Sequence, residues 1–140
     1  MKKVFVLGSI NADLVMQADR MPMTGESLKG SGFFINQGGK GANQAVACKK
    51  LGCEKVLFMG AVGSDTFGKD LVSSLASYGV ETDAVAVKDG HSGVCIILLD
   101  KSQNDNVLVV DAGANDRVSF DDFEGYLDAH AEAGDLLVTQ

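Results

Sequence analysis

The sequence predicts an α/β fold: a partial, Rossmann-like parallel sheet covered by helices, with a small second β-sheet inserted into it. Three observations predict it. Short apolar runs at Val4–Leu7 and Val56–Met59 each end at a glycine, as strands buried on both faces do. Stretches of helical spacing alternate with such runs, and β–α–β–α order marks a parallel sheet. Residues of about 12–36 and 84–111 hold strand-like runs without helical period, which places the second sheet there and the α/β core at about 1–11, 37–83 and 112–140.

The first strand ends at Gly8, and Asn11 and Asp13 follow. In an open α/β sheet, ligands bind beyond the carboxyl ends of the strands. Asn and Asp are also turn-formers, so both readings stand for this pair. Leu14–Met16, a turn at Pro22, and Leu28–Ile35 read as short β segments. Next, Gly38, Gly39 and Gly41 surround Lys40 and lead into a helix with Ala42, Ala45, Val46 and Leu51 near one face. Lys49 and Lys50 occupy its last turn and Gly52 its stop. A helix that starts in a glycine loop offers unpaired N–H groups and backbone unshielded by Cβ, which reads as a ligand loop. The alternative is a turn that merely starts a packed helix. A Walker phosphate loop fails, because Phe34 stands at the first glycine and Gly41 follows the lysine. The dinucleotide fingerprint fails for want of its third glycine.

Val56–Met59 is the next strand, and Asp65 leads into a helix to Tyr78 with Phe67, Leu71, Val72 and Leu75 on one face and Gly79 as its stop. Val85–Val87, Val94–Leu99 and Val107–Val110 are separated by short turns, which implies antiparallel hairpins in the second sheet. Ser119 is expected to cap a last helix through about Ala131, with Phe120, Phe123 and Leu127 inward, before a strand at Leu136–Thr139.

The 140 residues are one domain's worth of chain. A net charge of −7 argues against nucleic acid or an anionic membrane surface as partner. Cys48, Cys53 and Cys95 show no paired spacing, and with only His91 and His130 beside them they are expected to be free thiols rather than zinc ligands. Lys2-Lys3 precedes an apolar run that breaks at Asn11 and Asp13 without a cleavage site, and no run nears the roughly 20 residues of a membrane span. The expectation is a cytoplasmic protein.

Five segments, in order, resemble the N-terminal half of sugar kinases of the ribokinase family. They are Gly8-Ser9-Ile10-Asn11-Ala12-Asp13, Pro22-x-x-Gly25-Glu26, Gly38-Gly39-Lys40-Gly41-Ala42-Asn43-Gln44-Ala45, Gly63-x-Asp65-x-x-Gly68 and Gly113-Ala114-Asn115. The resemblance implies ATP-dependent transfer of a phosphoryl group to a sugar's primary hydroxyl, with ribose favoured over hexoses and deoxyribose left open. It implies that Asn11 and Asp13 bind sugar hydroxyls, that Gly38, Gly39 and Lys40 line the pocket, and that Asn43 bonds the sugar from the first helical turn. It identifies the inserted strands as a lid over the sugar and a homodimer contact. Family members are about twice as long; their second half carries the nucleotide, Mg²⁺ and K⁺ sites and a Gly-Ala-Gly-Asp catalytic segment. No catalytic residue is therefore expected here, and the chain alone is expected to be inactive. Asp111–Asp116 superficially resembles that segment, but Asn115 replaces its last glycine, and the helix capped at Ser119 comes too late for an anion hole. Alternatives from other classes are a non-catalytic sugar-binding module and a piece that dimerises through the lid.

Overall fold

The computed structural model describes residues 2–140. Strand β1 (Lys3–Leu7) lies inside a four-stranded parallel sheet, between β4 (Lys55–Gly63) and β8 (Leu136–Thr139), with β5 (Val85–Lys88) beyond β4. The period of two divides its side chains between two cores. Val4, Val6, Val56 and Phe58 face Ala42 and Ala45 of α1 (Lys40–Lys50) and Leu71 and Leu75 of α2 (Thr66–Ser77). Phe5, Leu57 and Met59 face the other way, onto Phe123 beside α3 (Glu124–His130). Helices thus cover both faces of the sheet, which explains the unbroken apolar runs.

The second sheet has the order β3 (Ser31–Gly38), β2 (Asn11–Ala18), β6 (Gly93–Asp100), β7 (Asp105–Asp111). β2 pairs in parallel with β6 and antiparallel with β3, and β7 returns antiparallel to β6. Among the described residues no helix is long and apolar enough to cross a membrane.

Two expectations are corrected. Residues 85–88 do not join the second sheet: they pair in parallel with Gly60–Gly63 at the edge of the core sheet. The helix α2 is the crossover that makes this pairing possible, and the segment after Lys88 passes from one sheet to the other rather than closing a hairpin. The last helix is also broken. Ser119 N–H donates to Asp122 Oδ2 at 2.8 Å, a 3₁₀ turn spans Phe120–Asp122, and α3 itself begins only at Glu124. Phe120 is left 62% exposed, whereas Phe123 is buried and Leu127 packs beside it.

A buried polar knot fastens the two sheets. Asp65 caps α2 by accepting from Gly68 N–H (2.9 Å), and it also accepts from Ser92 N–H (3.0 Å) and Ser92 Oγ (2.7 Å). Ser92 Oγ in turn accepts from Gly63 N–H at 2.9 Å, so the end of β4, the start of α2 and the approach to β6 share one pair of side chains. Burial pushes the Asp65 carboxyl up, but its bonds from Ser92 and Gly68 outweigh this and hold it below the ordinary value. Asp65→Ala removes the cap and leaves the buried Ser92 short of a partner, a loss of about 2–3 kcal/mol by denaturant unfolding. Because the folded carboxyl titrates low, wild type keeps this contribution at neutral pH and loses it as pH falls through the depressed value, so the gap between the proteins should close in acid. A gap that stays constant, or no gap, would contradict this role.

Candidate functional site

The end of β1 and the start of α1 meet without side chains between them. An added Cβ on Gly41 would lie 2.6 Å from Gly8 Cα, and one on Gly39, at φ 93°, would lie 2.5 Å from Ser9 O. Ser9 closes this contact by accepting from Ala42 N–H at its carbonyl (3.0 Å) and from Lys40 N–H at its Oγ (3.2 Å). The glycine loop is thus a backbone-to-backbone joint as well as a helix start. The first turn of α1, with Lys40 and Asn43, is held at the carboxyl end of the parallel sheet, beside the base of the second sheet.

A cleft of about 750 Å³ opens there. Asn11 and Asp13 line it, and they lie on strand β2 rather than in a turn, which overturns the turn-former alternative. Two positions apart on one strand, their side chains leave the same face. Gly39, Lys40 and Asn43 line the cleft too. Gly38 does not: it lies buried against Asp13, where a Cβ would overlap the carboxylate. The second sheet contributes Cys95, Leu108 and Val110 as an apolar wall.

The polar groups have defined roles. Asn115 Oδ1 accepts from Ile10 N–H (3.0 Å), and its Nδ2 donates to Ile10 O (3.1 Å), Asn11 Oδ1 (2.9 Å) and Ala112 O (3.0 Å). Asn115 thereby pins the β1–β2 turn and occupies the Asn11 carbonyl oxygen, leaving the Asn11 NH₂ to donate into the cleft. Among the described residues no protein donor meets the Asp13 carboxylate and no ion pair engages Lys40. Burial raises the Asp13 pKa, and the buried Cys95 thiol is raised by its own burial and then by the Asp13 charge, so it stays protonated. The cleft thus offers a free anionic acceptor, an amide donor and an ammonium together with an apolar wall, a set suited to a small polyhydroxyl compound.

Sequence reasoning placed Asn115 within a motif but gave it no role; its signal was the lone amide in Gly113-Ala114-Asn115. The segment resembling an anion hole itself coils into a 3₁₀ helix, Gly113–Arg117, ahead of the turn at Ser119. Its N–H groups are already engaged: Gly113 donates to Asp111 Oδ1, Ala114 to His91 O and Asn115 to Ala112 O. Among the described residues no cluster of three or more His, Cys, Asp or Glu could hold a metal ion.

The family described as pfkB family carbohydrate kinase matches residues 1–140. A ribokinase of Bacillus subtilis is 41% identical over 120 residues, covering 85% of this chain and 40% of that protein. The solved structure of a ribokinase from Giardia lamblia superposes with a TM-score of 0.84 at 30% identity, covering 99% of this chain and 41% of that one. That of an Arabidopsis thaliana ribokinase complexed with ribose and ATP does so with a TM-score of 0.75 at 32% identity, covering 89% and 42%. The chain therefore spans about two fifths of the length of these relatives.

A carboxylate that is desolvated without an internal partner costs stability in the free protein. Asp13→Asn should therefore raise Tm at pH 7, by about 1–3 °C. The folded carboxyl titrates higher than the unfolded one, so the penalty exists above the folded pKa and fades as pH falls through it; the Tm difference should vanish below about pH 4. Thermal melts across pH check this, and a destabilised Asp13→Asn at pH 7 would show that the carboxylate has a structural partner instead.

Proposed function

Because this chain belongs to the pfkB family of carbohydrate kinases, we propose that it is the sugar-binding part of a kinase that transfers the γ-phosphoryl group of ATP to the primary hydroxyl of a sugar, ribose before deoxyribose. The observation that carries this is the unpartnered Asp13 carboxylate converging with the Asn11 amide and Lys40 in one cleft. Asp13 accepts from two neighbouring hydroxyls; Asn11, Lys40 and Asn43 bind the others; Gly39 lets the backbone close on them, and Gly38 leaves room for the Asp13 carboxylate. Charge-assisted bonds of this kind fix orientation as well as affinity. Fixing the sugar in one pose presents its primary hydroxyl to the phosphoryl donor, and positioning is most of what phosphoryl transfer asks of a protein.

The second sheet acts as the lid. Cys95, Leu108 and Val110 cover the C–H face of the sugar and exclude water from it. We assign ATP, Mg²⁺, K⁺ and the groups that stabilise the transferring phosphoryl to protein outside these residues, so the chain alone turns over no sugar, and we place the kinase in the cytoplasm. The relative whose structure holds ribose and ATP supports this reading.

In the whole kinase, Asp13→Ala should lower kcat/KM for the sugar at least tenfold and up to about a hundredfold, since two charge-assisted bonds of about 1.5–3 kcal/mol each are partly replaced by water. KM for ATP should move much less. Lys40→Ala and Asn43→Ala should follow more mildly, and Asp65→Ala should alter stability alone. Unchanged sugar kinetics in a folded Asp13→Ala enzyme would remove Asp13 from the site.

The second sheet also supports self-association. Phe33 and Ile35 of β3 and Val107 and Val109 of β7, on the face turned away from the cleft, are all about half exposed, an apolar surface of the kind that marks an interface. We propose a homodimer through this sheet. Light scattering at micromolar concentration should show a dimer or larger species; a monomer that binds no apolar dye would overturn it.

A further inference from the structure

The far end of α1 brings together the two thiols that the cleft does not use. Gly52, at φ 94°, donates its N–H to Lys49 O (3.0 Å), and Cys53 donates its N–H to Cys48 O (3.0 Å). This pair of bonds is the Schellman closure of a helix, in which the side chains at the two ends of the longer bond touch. Usually that contact is apolar; here both residues are cysteines. Their thiols are free and half-buried against the same apolar core, while the residues between and after them, Leu51, Gly52, Glu54 and Lys55, are exposed. Chain positions clasped this way suit the Cα separation a disulfide needs.

We propose that Cys48 and Cys53 are a redox pair that closes to an intramolecular disulfide when the chain meets a peroxide. One thiolate attacks a peroxide oxygen; the O–O bond breaks, an S–OH forms and the other oxygen leaves as water after taking up a proton. The second sulfur then attacks the first, the S–S bond forms, the S–O bond breaks and a second water leaves. Two thiols give up two electrons and two protons, and the peroxide is reduced to two waters. Burial and then the neighbouring Cys53 push the Cys48 thiol above its ordinary value, so closure is slow at neutral pH and quickens as pH rises. The bond staples the end of α1 to the lead into β4, at the end of the helix opposite Lys40 and Asn43.

Tryptic mapping tests this on the intact chain, because Lys49 and Lys50 lie between the two cysteines. The reduced chain is treated with hydrogen peroxide at pH 8, blocked with N-ethylmaleimide under denaturing conditions and digested without reductant. Peptides 41–49 and 51–55 should appear joined and separate on adding dithiothreitol, the intact mass should be lower by two hydrogens, and Cys95 should carry the maleimide. The oxidised chain should melt about 3–6 °C higher, an increment that dithiothreitol abolishes. Cys53→Ser should give no joined peptide and no mass loss. Maleimide or sulfinic acid on both Cys48 and Cys53, a disulfide between two chains, or a mass loss that persists in Cys53→Ser would each overturn the pair.

Discussion

The cleft depends on how closely the backbone of Gly41 lies on that of Gly8. No L-residue with a side chain fits at either place, since the Cβ on Gly41 would press on Gly8 Cα and one on Gly8 would fall 2.9 Å from Gly41 Cα. That contact replaces the layer of side chains that ordinarily separates a helix from the strand it covers. Residues of the first turn of α1 therefore reach the polar rim of the sheet, which elsewhere lies under the apolar face of the helix. Bulk at this joint would push Lys40 and Asn43 away from Asp13 without altering any of the three.

Polar side chains fasten the two sheets at their roots, beside the apolar packing of Ile10 and Ala12 into the core. Asn115 holds the base of β2, and Ser92 with Asp65 holds the base of β6. Each is nearly saturated with bonds, so neither strand can shift without breaking several at once. The second sheet is thus anchored firmly at its root and exposed along its β7 edge, which among the described residues has no strand beyond it.

Much of this was legible from residues alone. The runs at Val4 and Val56 announced both buried strands, and the glycine loop announced the helix that carries half of the cleft. Asn11 and Asp13 were found by their place after a strand, though turn chemistry competed until β2 was seen to start at Asn11. The misplaced pieces share a cause. Residues 85–88 are four in number and look alike in either sheet, since a short apolar run says nothing of which edge it joins. Phe120 obeys the helical spacing of Phe123 and Leu127, but the Ser119–Asp122 bond starts a tighter turn that rotates it outward. Asn115 lies 105 positions from the backbone it holds, and no local pattern reports a bond of that span.

The order of the strands has a consequence for the chain as it is made. β1 is synthesised before both of its neighbours but lies between them, so Val4 waits for Val56 on one side and for Leu136 on the other. Pairings so distant in sequence form slowly, and an emerging apolar strand without partners is open to wrong ones. Ile10 waits for Asn115 in the same way. On the ribosome the cleft is completed only once Asn115 has been made. A nascent chain stopped short of Asn115 has no pinned β1–β2 turn, and its need for chaperoning should be greatest during that interval.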